Sequence, residues 1–350
     1  MCVYAFKEIV NIYKHHSSPI FVCFLDASKA FDKINHWLLF NKLIKRNVPL
    51  FFVKLLVFWY SSQKVCVQWG NVLSDSFTVT NGVKQGGILS PILFNIYMND
   101  LSVSLNNSRI GCNVNDFTVN HFIYADDMCV VAPCANGLQK LLDICSIYAE
   151  EHDILYNSKK SVCMYIKSKK YQLRNVPNIR LGKNIIRYVE SYKYLGCILN
   201  QMLNDNDDIK RTLRGIYARS NILIRKFYNC TSDVKMTLFQ AYCTNFYCTQ
   251  LWWNYSKQSL GKVRVAFNNS FRHLMGYDRR CSASGMFVNA HIDSFNTLRR
   301  KCIYRFTNRL ELSQNMVLRN IYNYRCLFIL PSVREFYESL HNAQSYIFLH

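Results

Sequence analysis

Apolar side chains recur every three to four positions at Val3, Phe6, Val10 and Tyr13, which predicts one amphipathic helix over residues 1–16, ended by Ser17, Ser18 and Pro19. Ile20 to Leu25 is unbroken apolar, the pattern of a central strand covered on both faces, and it delivers Asp26 to its carboxyl end. Helical periodicity covers about 35–60. Within it, Val48 to Tyr60 reads as a buried helix. Lys64 to Trp69 and Ser76 to Thr80 alternate around a Gly70-Asn71 turn signal, which predicts a hairpin. A Gly-containing loop over 81–87 then leads into a long apolar helix from Ile88 to Leu105. Two short strand-like runs, His121 to Tyr124 and Met128 to Val131, flank Ala125-Asp126-Asp127, and another helix covers about 136–152. Beyond residue 200 helical patterns dominate. Asp205, Asp207 and Asp208 offer a capped, dipole-compatible start to a helix running to about Tyr228. Its apolar side carries Ile209, Leu213, Ile216 and Leu223, and its flanks carry Lys210, Arg211, Arg214, Arg219, Arg225 and Lys226. Mixed α and β first and helices second is an α+β design.

Composition narrows the chemistry. The 350 residues are half apolar with only 12 Gly and 6 Pro, which excludes disorder and collagen-like repeats. Net charge is +21, and it is unevenly spread: residues 1–150 hold 12 basic and 10 acidic side chains, residues 151–350 hold 31 and 12. A nearly neutral half that keeps its carboxylates, followed by a strongly basic half, suits a protein that grips a polyanion, with nucleic acid the first partner to test. A solvated basic face with no partner fits the same balance. The 15 Cys contain no C-x-x-C pair, so reduced, buried thiols are expected rather than disulfides or zinc sites. With no signal peptide visible, this points to the nucleus or cytoplasm. The longest apolar stretch, residues 48–60, is interrupted by Lys54 and too short to span a bilayer, so no membrane partner is expected.

Asp126-Asp127 at a strand junction between apolar runs is unusual, because adjacent like charges in a buried setting must be compensated. A turn or helix cap is the bland account. If strand 20–25 lies beside the 121–131 hairpin, however, Asp26 and Asp126 converge from neighbouring strands. Two magnesium ions about 3.5 to 4 Å apart would then hold the attacking and leaving oxygens of an in-line phosphoryl displacement.

Five segments occur in order: FVCFLDASKAFDKI (21–34), NGVKQGGILSPILFNIYMNDL (81–101), HFIYADDMCVVA (121–132), LYNSKKSVCMYI (155–166) and ESYKYLGCIL (190–199). They resemble the successive palm motifs of reverse transcriptases, in wording closest to polymerases of retrotransposons without long terminal repeats, the long interspersed element type. The resemblance covers about 20–200 and extends less specifically to about 260. It implies a polymerase palm with a small antiparallel sheet packed on helices, then a helical thumb and a helical, basic C-terminal region. The corresponding divisions are 1–18, a helix preceding the palm; 19–200, palm with residual fingers; 201–256, thumb; and 257–350, the C-terminal region.

Residue by residue, the resemblance makes Asp26 and Asp126 the ligands of two catalytic Mg2+ ions, with Mn2+ as the alternative, and Asp127 a third, weaker carboxylate. Ala27 matches a nucleotide-binding position. Phe31 matches the aromatic that crowds the 2′ carbon of the incoming nucleotide and so selects deoxynucleotides. Gln85 and Gly86 match the loop along nucleotide and template. Lys160 matches a lysine that protonates departing pyrophosphate, with Lys159 its competitor and a solvated pair the plain account of both. Tyr194, Leu195 and Gly196 look like the primer grip, which sets the primer 3′ end by position. Lys210, Arg211 and Arg214 would track phosphates without reading bases. Trp252, Trp253 and Tyr255 stack on bases or pack a helical core, with packing favoured. The Arg-rich run Arg299, Arg300, Lys301, Arg305 and Arg309 stays ambiguous.

The family's chain ordinarily continues upstream through fingers strands, so most of the fingers is expected to be missing here, and a companion chain that supplies them stays open as a partner. The implied partners are an RNA template, a DNA primer and deoxynucleoside triphosphates. The implied function is RNA-directed DNA polymerase, with the activity of the isolated chain left open. A noncatalytic nucleic-acid-binding remnant is the alternative, and a two-metal nuclease is disfavoured because no water-positioning groups accompany the carboxylates.

Overall fold

A computed structural model describes residues 1–168 and 173–328. Residues 329–350, the end of the expected basic C-terminal region, lie outside the described residues. The chain groups into two compact units: Cys2 with Ile9–Glu190, and Met1 with Val3–Glu8 and Ser191 onward.

The amphipathic first segment forms α1 (Cys2–His15). In the Ile9–Glu190 unit, the apolar run forms β1 (Ile20–Asp26), buried from end to end except at Asp26. The Ala125-Asp126 turn joins β2 (His121–Tyr124) to β3 (Asp127–Ala132), and β4 (Val162–Ile166) completes an antiparallel sheet in the order β4-β1-β3-β2. Phe21, Cys23 and Leu25 on alternate positions of β1 join the core with Met128, Val130 and Ala132 of β3, the period of two that a pleated strand imposes. Four helices accompany this sheet, α2 (His36–Lys45), α3 (Leu50–Ser61), α4 (Ser90–Asn107) and α5 (Ala135–Glu151); α5 packs on β1 and β3, α4 on α5 and α2, and α2 on α3. Asn35 caps α2, its side chain accepting from the Trp37 and Leu38 N–H groups. Lys42 of α2, pointing inward, pairs with Asp100 of α4 and donates to the Tyr148 hydroxyl of α5, so three helices share one buried cation. Its aliphatic stem is apolar enough to be buried while the charge finds partners.

The 64–80 hairpin forms in two steps, Lys64–Val65 pairing with Phe77–Thr78 and Gln68–Trp69 with Val72–Leu73 about Gly70. The expectation of a buried helix over 48–60 is corrected. The helix forms, but Val53 and Tyr60 alone are buried in it, while Leu50, Phe51, Phe52, Leu55, Phe58 and Trp59 are exposed. Helical periodicity predicts the element and not what covers it.

In the other unit, β5 (Ser191–Tyr194) and β6 (Cys197–Asn200) form a hairpin, followed by α6 (Asn206–Lys226), α7 (Ser232–Cys243), α8 (Lys257–Met275), α9 (Ala283–Asn289), α10 (Phe295–Glu311) and α11 (Met316–Phe328). Ile209, Ile216 and Leu223 of α6 meet Val263, Phe267 and Phe271 of α8 in its core. Asp205 does not cap α6. Its carboxylate is buried, taking the Lys7 ammonium and the N–H groups of Trp253 and Asn254. A second correction concerns the thiols, since Cys197 and Cys248 form a disulfide across 51 residues of chain. Among the described residues no helix is long and apolar enough to cross a membrane.

Candidate active site

The strand register brings the acidic residues together. Asp26, last in β1, lies directly opposite Asp127, first in β3, and Asp127 in turn faces Tyr124 of β2 across a two-residue turn that contains Asp126. Cross-strand partners share a face of the sheet, so Asp26 and Asp127 are side-chain neighbours and Asp126 is the next residue along. The expected direct convergence of Asp26 with Asp126 is therefore refined: the cross-strand partner is Asp127. The expected burial is corrected as well. Asp126 and Asp127 are exposed and Asp26 is half-buried, because all three stand where the apolar strands end. Ala125 enters the turn at φ +52, which places the acidic pair at the hairpin tip.

Although Asp127 is exposed as a residue, partial burial of its carboxyl and then the charges of Asp126 and Asp26 push that carboxyl above the ordinary carboxylate range. That repulsion, together with an all-oxygen donor set, suits a hard divalent cation, which keeps waters and completes its shell with substrate phosphates. Among the described residues no three His, Cys, Asp or Glu side chains are drawn into a finished metal cage. The carboxylates are adjacent rather than closed around a point.

The segment after α5 braces the end of β1. The Asn157 N–H donates to the Asp26 carbonyl at 2.8 Å, the Asp26 N–H donates to the Ser161 hydroxyl at 3.0 Å, and the Ser28 N–H donates to the Leu155 carbonyl at 2.8 Å. Asn157 also turns its own loop, its side-chain oxygen accepting from the N–H groups of Lys159 and Lys160 at 3.0 and 3.2 Å. Lys160 thus stands three residues from a bond to Asp26, its side chain exposed beside that of Lys159. Asn157 and Ser161 belong to the motif at 155–166, but nothing in their spacing singles them out as the brace.

Ala27 bridges to Tyr156, and with Ala30, Phe94, Met98 and Asp126 it lines a narrow cleft beneath the acidic turn. Phe31, in a short 3-10 turn, stacks on Phe94 of α4 with ring centroids 4.7 Å apart. The 81–87 loop is laced to that turn. The Val83 N–H donates to the Phe31 carbonyl, the Gly82 N–H to the Ile34 carbonyl, both at 2.7 Å, and the Gln85 side chain donates to Asp32 at 3.2 Å. Gly82 is at φ +92, and a Cβ there would stand 2.8 Å from the Asp32 backbone, so only glycine fits. Gln85 and Gly86 are exposed, and Gly86 has open space around its α-carbon. Beside it, Trp59, Tyr60, Gln63, Lys84, Ile88 and Leu89 contribute to a groove of about 580 Å³.

The second unit holds the remaining expected residues. Tyr194 is buried, and Leu195 and Gly196 form the tip of the β5–β6 hairpin. Of the basic residues on α6, Arg214 is exposed and Lys210 is loosely paired with Asp207 at 3.4 Å. Arg211 is committed: its guanidinium donates to Asp208 at 2.7 and 3.3 Å, and Asp208 also accepts from the Trp252 indole at 2.9 Å. Trp252 is buried, Trp253 lies under the Lys7 ammonium, and Tyr255 lies under Arg299, which also donates to its hydroxyl. Trp252 and Tyr255 pack the helical core, and Trp253 stands edge-on to Tyr4 of α1. Lys301 of the Arg-rich run pairs with Asp293 at 2.6 Å.

The family model for "Reverse transcriptase (RNA-dependent DNA polymerase)" matches residues 2–199, more than half of the chain, and the protein belongs to that family. Its relatives are polymerases of mobile elements. The chain is 23% identical over 310 residues to the RNA-directed DNA polymerase from mobile element jockey of Drosophila funebris, covering 85% of this chain and 33% of that protein. It is 32% identical over 196 residues to the Pol polyprotein from type-2 retrotransposable element R2DM of Drosophila melanogaster, covering 54% of this chain and 18% of that protein. It therefore spans about a third or less of these relatives. Among solved structures, apo telomerase from Candida tropicalis aligns over 92% of this chain and 56% of its own at 12% identity, with a TM-score of 0.45.

Proposed function

We propose that the chain is the catalytic part of a retrotransposon RNA-directed DNA polymerase, which adds deoxynucleotides to a DNA primer on an RNA template. The observation that carries this reading is the register Asp26 opposite Asp127 with Asp126 in the adjoining turn, three carboxylates at the open end of one sheet. In this reading Asp26 and Asp126 hold two Mg2+ or Mn2+ ions, and Asp127 adds a further oxygen. Bound there, such ions supply Lewis-acid stabilisation of the attacking and leaving oxygens.

The chain's own residues do the rest. Ala27 and Phe31 form the nucleotide's sugar pocket, with Phe31 held by Phe94 against movement, so that a 2′-hydroxyl meets a fixed ring. Gln85 and Gly86 lie along the base pair being formed. Lys160, presented by the Asn157 turn, gives its proton to pyrophosphate as it leaves. Tyr194, Leu195 and Gly196 grip the primer end, while Arg214 and Lys210 follow phosphates. The palm corresponds to 19–200 and the thumb to 201–256, and a companion chain supplying fingers is the partner this reading leaves to find. The test is extension of a labelled DNA primer on RNA with Mg2+: incorporation that Asp126→Ala abolishes supports the proposal. Tight, salt-sensitive binding of the primer–template without incorporation would replace it with the nucleic-acid-binding remnant.

A further inference from the structure

The β5–β6 hairpin turns through two consecutive residues with positive φ, Leu195 at +44 and Gly196 at +78. Two-residue hairpin loops favour positive φ at both positions, yet Leu195 carries a Cβ that costs about 1–2 kcal/mol in the left-handed region, a cost that contacts from outside the hairpin help to offset. Tyr247 does so in two ways. Its hydroxyl donates to the Leu195 carbonyl at 2.8 Å. Its ring lies so close to Gly196 that a Cβ there would stand 2.8 Å from Cε1. The next residue, Cys248, takes a left-handed conformation at φ +70 and is bonded to Cys197, the first residue after the tip. Two adjacent residues of the 244–251 segment thus hold the tip through a hydrogen bond, a close ring contact and a covalent link. Tyr247 is 58% exposed, so burial of the ring does not account for its place. It also lies outside residues 2–199, the segment the family model matches.

We propose that Tyr247 is a positioning residue for nucleotide addition, fixing the height and tilt of the Leu195-Gly196 tip and through it the primer 3′ end. This rests on the reading of that hairpin as the primer grip. The tip is a two-residue loop with no side-chain core of its own. Without Tyr247 the Leu195 carbonyl loses its donor and Gly196 its ring contact, and the tip is left tethered only through the Cys197–Cys248 link, about which it can rock. A reacting hydroxyl displaced by about 1 Å loses on the order of a hundredfold in rate, because in-line attack needs the oxygen in register with the phosphorus.

The experiment measures single-nucleotide incorporation at saturating deoxynucleotide, the primer–template dissociation constant by fluorescence anisotropy, and the melting temperature, for wild type, Tyr247→Phe, Tyr247→Ala and Gly196→Ala. Tyr247→Phe keeps the ring and removes the hydroxyl, so it should lose about tenfold in incorporation rate, with the melting temperature and nucleotide KM unchanged. Tyr247→Ala should lose about a hundredfold. Gly196→Ala should be worse with Tyr247 present than in the Tyr247→Ala background, where its Cβ meets no ring. Incorporation by both Tyr247 variants within twofold of wild type overturns the proposal, as does strict additivity of the Gly196 and Tyr247 effects. If wild type itself incorporates nothing, the polymerase reading fails separately and anisotropy decides for Tyr247. Weaker binding of a primer–template duplex by Tyr247→Phe, with single-stranded RNA binding unchanged, supports the grip, and equal binding of the duplex overturns it.

Discussion

Replacing Lys7 by Met probes the ion pair that ties α1 to the start of α6. Lys7 is 3% and Asp205 4% exposed. The ammonium meets the Asp205 carboxylate and the Leu251 carbonyl, and it stands 4.4 Å from the centroid of the Trp253 ring. Burial drives the Lys7 pKa down, and Asp205 restores only part of it, so the pair is held against a desolvation penalty rather than being a large net gain. Methionine keeps most of the volume and removes the charge. What remains is a buried anion that still accepts from the N–H groups of Trp253 and Asn254. Removing one partner of a buried pair typically costs about 3–5 kcal/mol. The two surviving backbone donors put Lys7→Met near the lower end, about 3 kcal/mol, a large share of the roughly 5–15 kcal/mol that folded domains typically possess. Urea unfolding followed by tryptophan fluorescence reports it through Trp252 and Trp253, and hydrogen exchange should show the loss concentrated in residues 203–209 and 251–254. In the Asp205→Asn background the same substitution should cost much less, since no anion is stranded. A Lys7→Met cost below about 1 kcal/mol, or an equal cost in both backgrounds, refutes the reasoning.

Other outcomes follow from equally local geometry. His121 is pushed down to about 4 by burial, and its Nδ1–H donates to Asn120 while Nε2 accepts from the Ser102 hydroxyl, because Asn120 already spends its NH2 on the Leu105 and Ile110 carbonyls. Its neutral form therefore contributes about 3 kcal/mol that is fully present above pH 6.5 and lost as pH falls toward 4; His121→Leu should flatten that acid limb of the stability curve, and an unchanged limb contradicts the assignment. Cys197→Ser should cost up to about 4 kcal/mol, the chain-entropy value for a loop of this length, and should release one thiol for titration; titration of both sulfurs as free thiols in the untreated wild type would contradict it. Gly82→Ala drives a Cβ into the Asp32 backbone and should lower stability by at least about 1–3 kcal/mol while loosening Gln85 from Asp32, seen as faster exchange over 82–87.

The central strand was legible because a short, unbroken apolar run that stops at a carboxylate suits a strand covered on both faces, and Asp26 followed from where that run stops. The acidic turn was legible as a motif, but its exposure was not. Flanking hydrophobicity suggested burial, whereas the strands end at the surface and leave their last residues in solvent. For Asp205 the residue type misled, since a helix cap and a buried ion-pair partner use the same carboxylate. The partner, Lys7, lies 198 positions away. Residues 48–60 read correctly as helix and wrongly as buried, because a largely apolar sequence carries no sign of its neighbours. Tyr247 and Cys248 had no local signal at all; only folding brings them to the hairpin tip. Arg211 illustrates the converse, a basic residue on the expected face whose guanidinium is taken by Asp208 three positions earlier.

The central claim is that Asp26 and Asp126 act together in nucleotidyl transfer, and single-turnover incorporation on an RNA template tests it most directly with Asp26→Asn, Asp126→Asn and the double variant, each matched to wild type in melting temperature. Groups that hold the same ions fail as a unit, so each single change should lower the rate by on the order of a thousandfold, and the double should fall little further. Incorporation by either single variant near the wild-type rate, or a double variant whose loss is the product of the two single losses, would contradict the account.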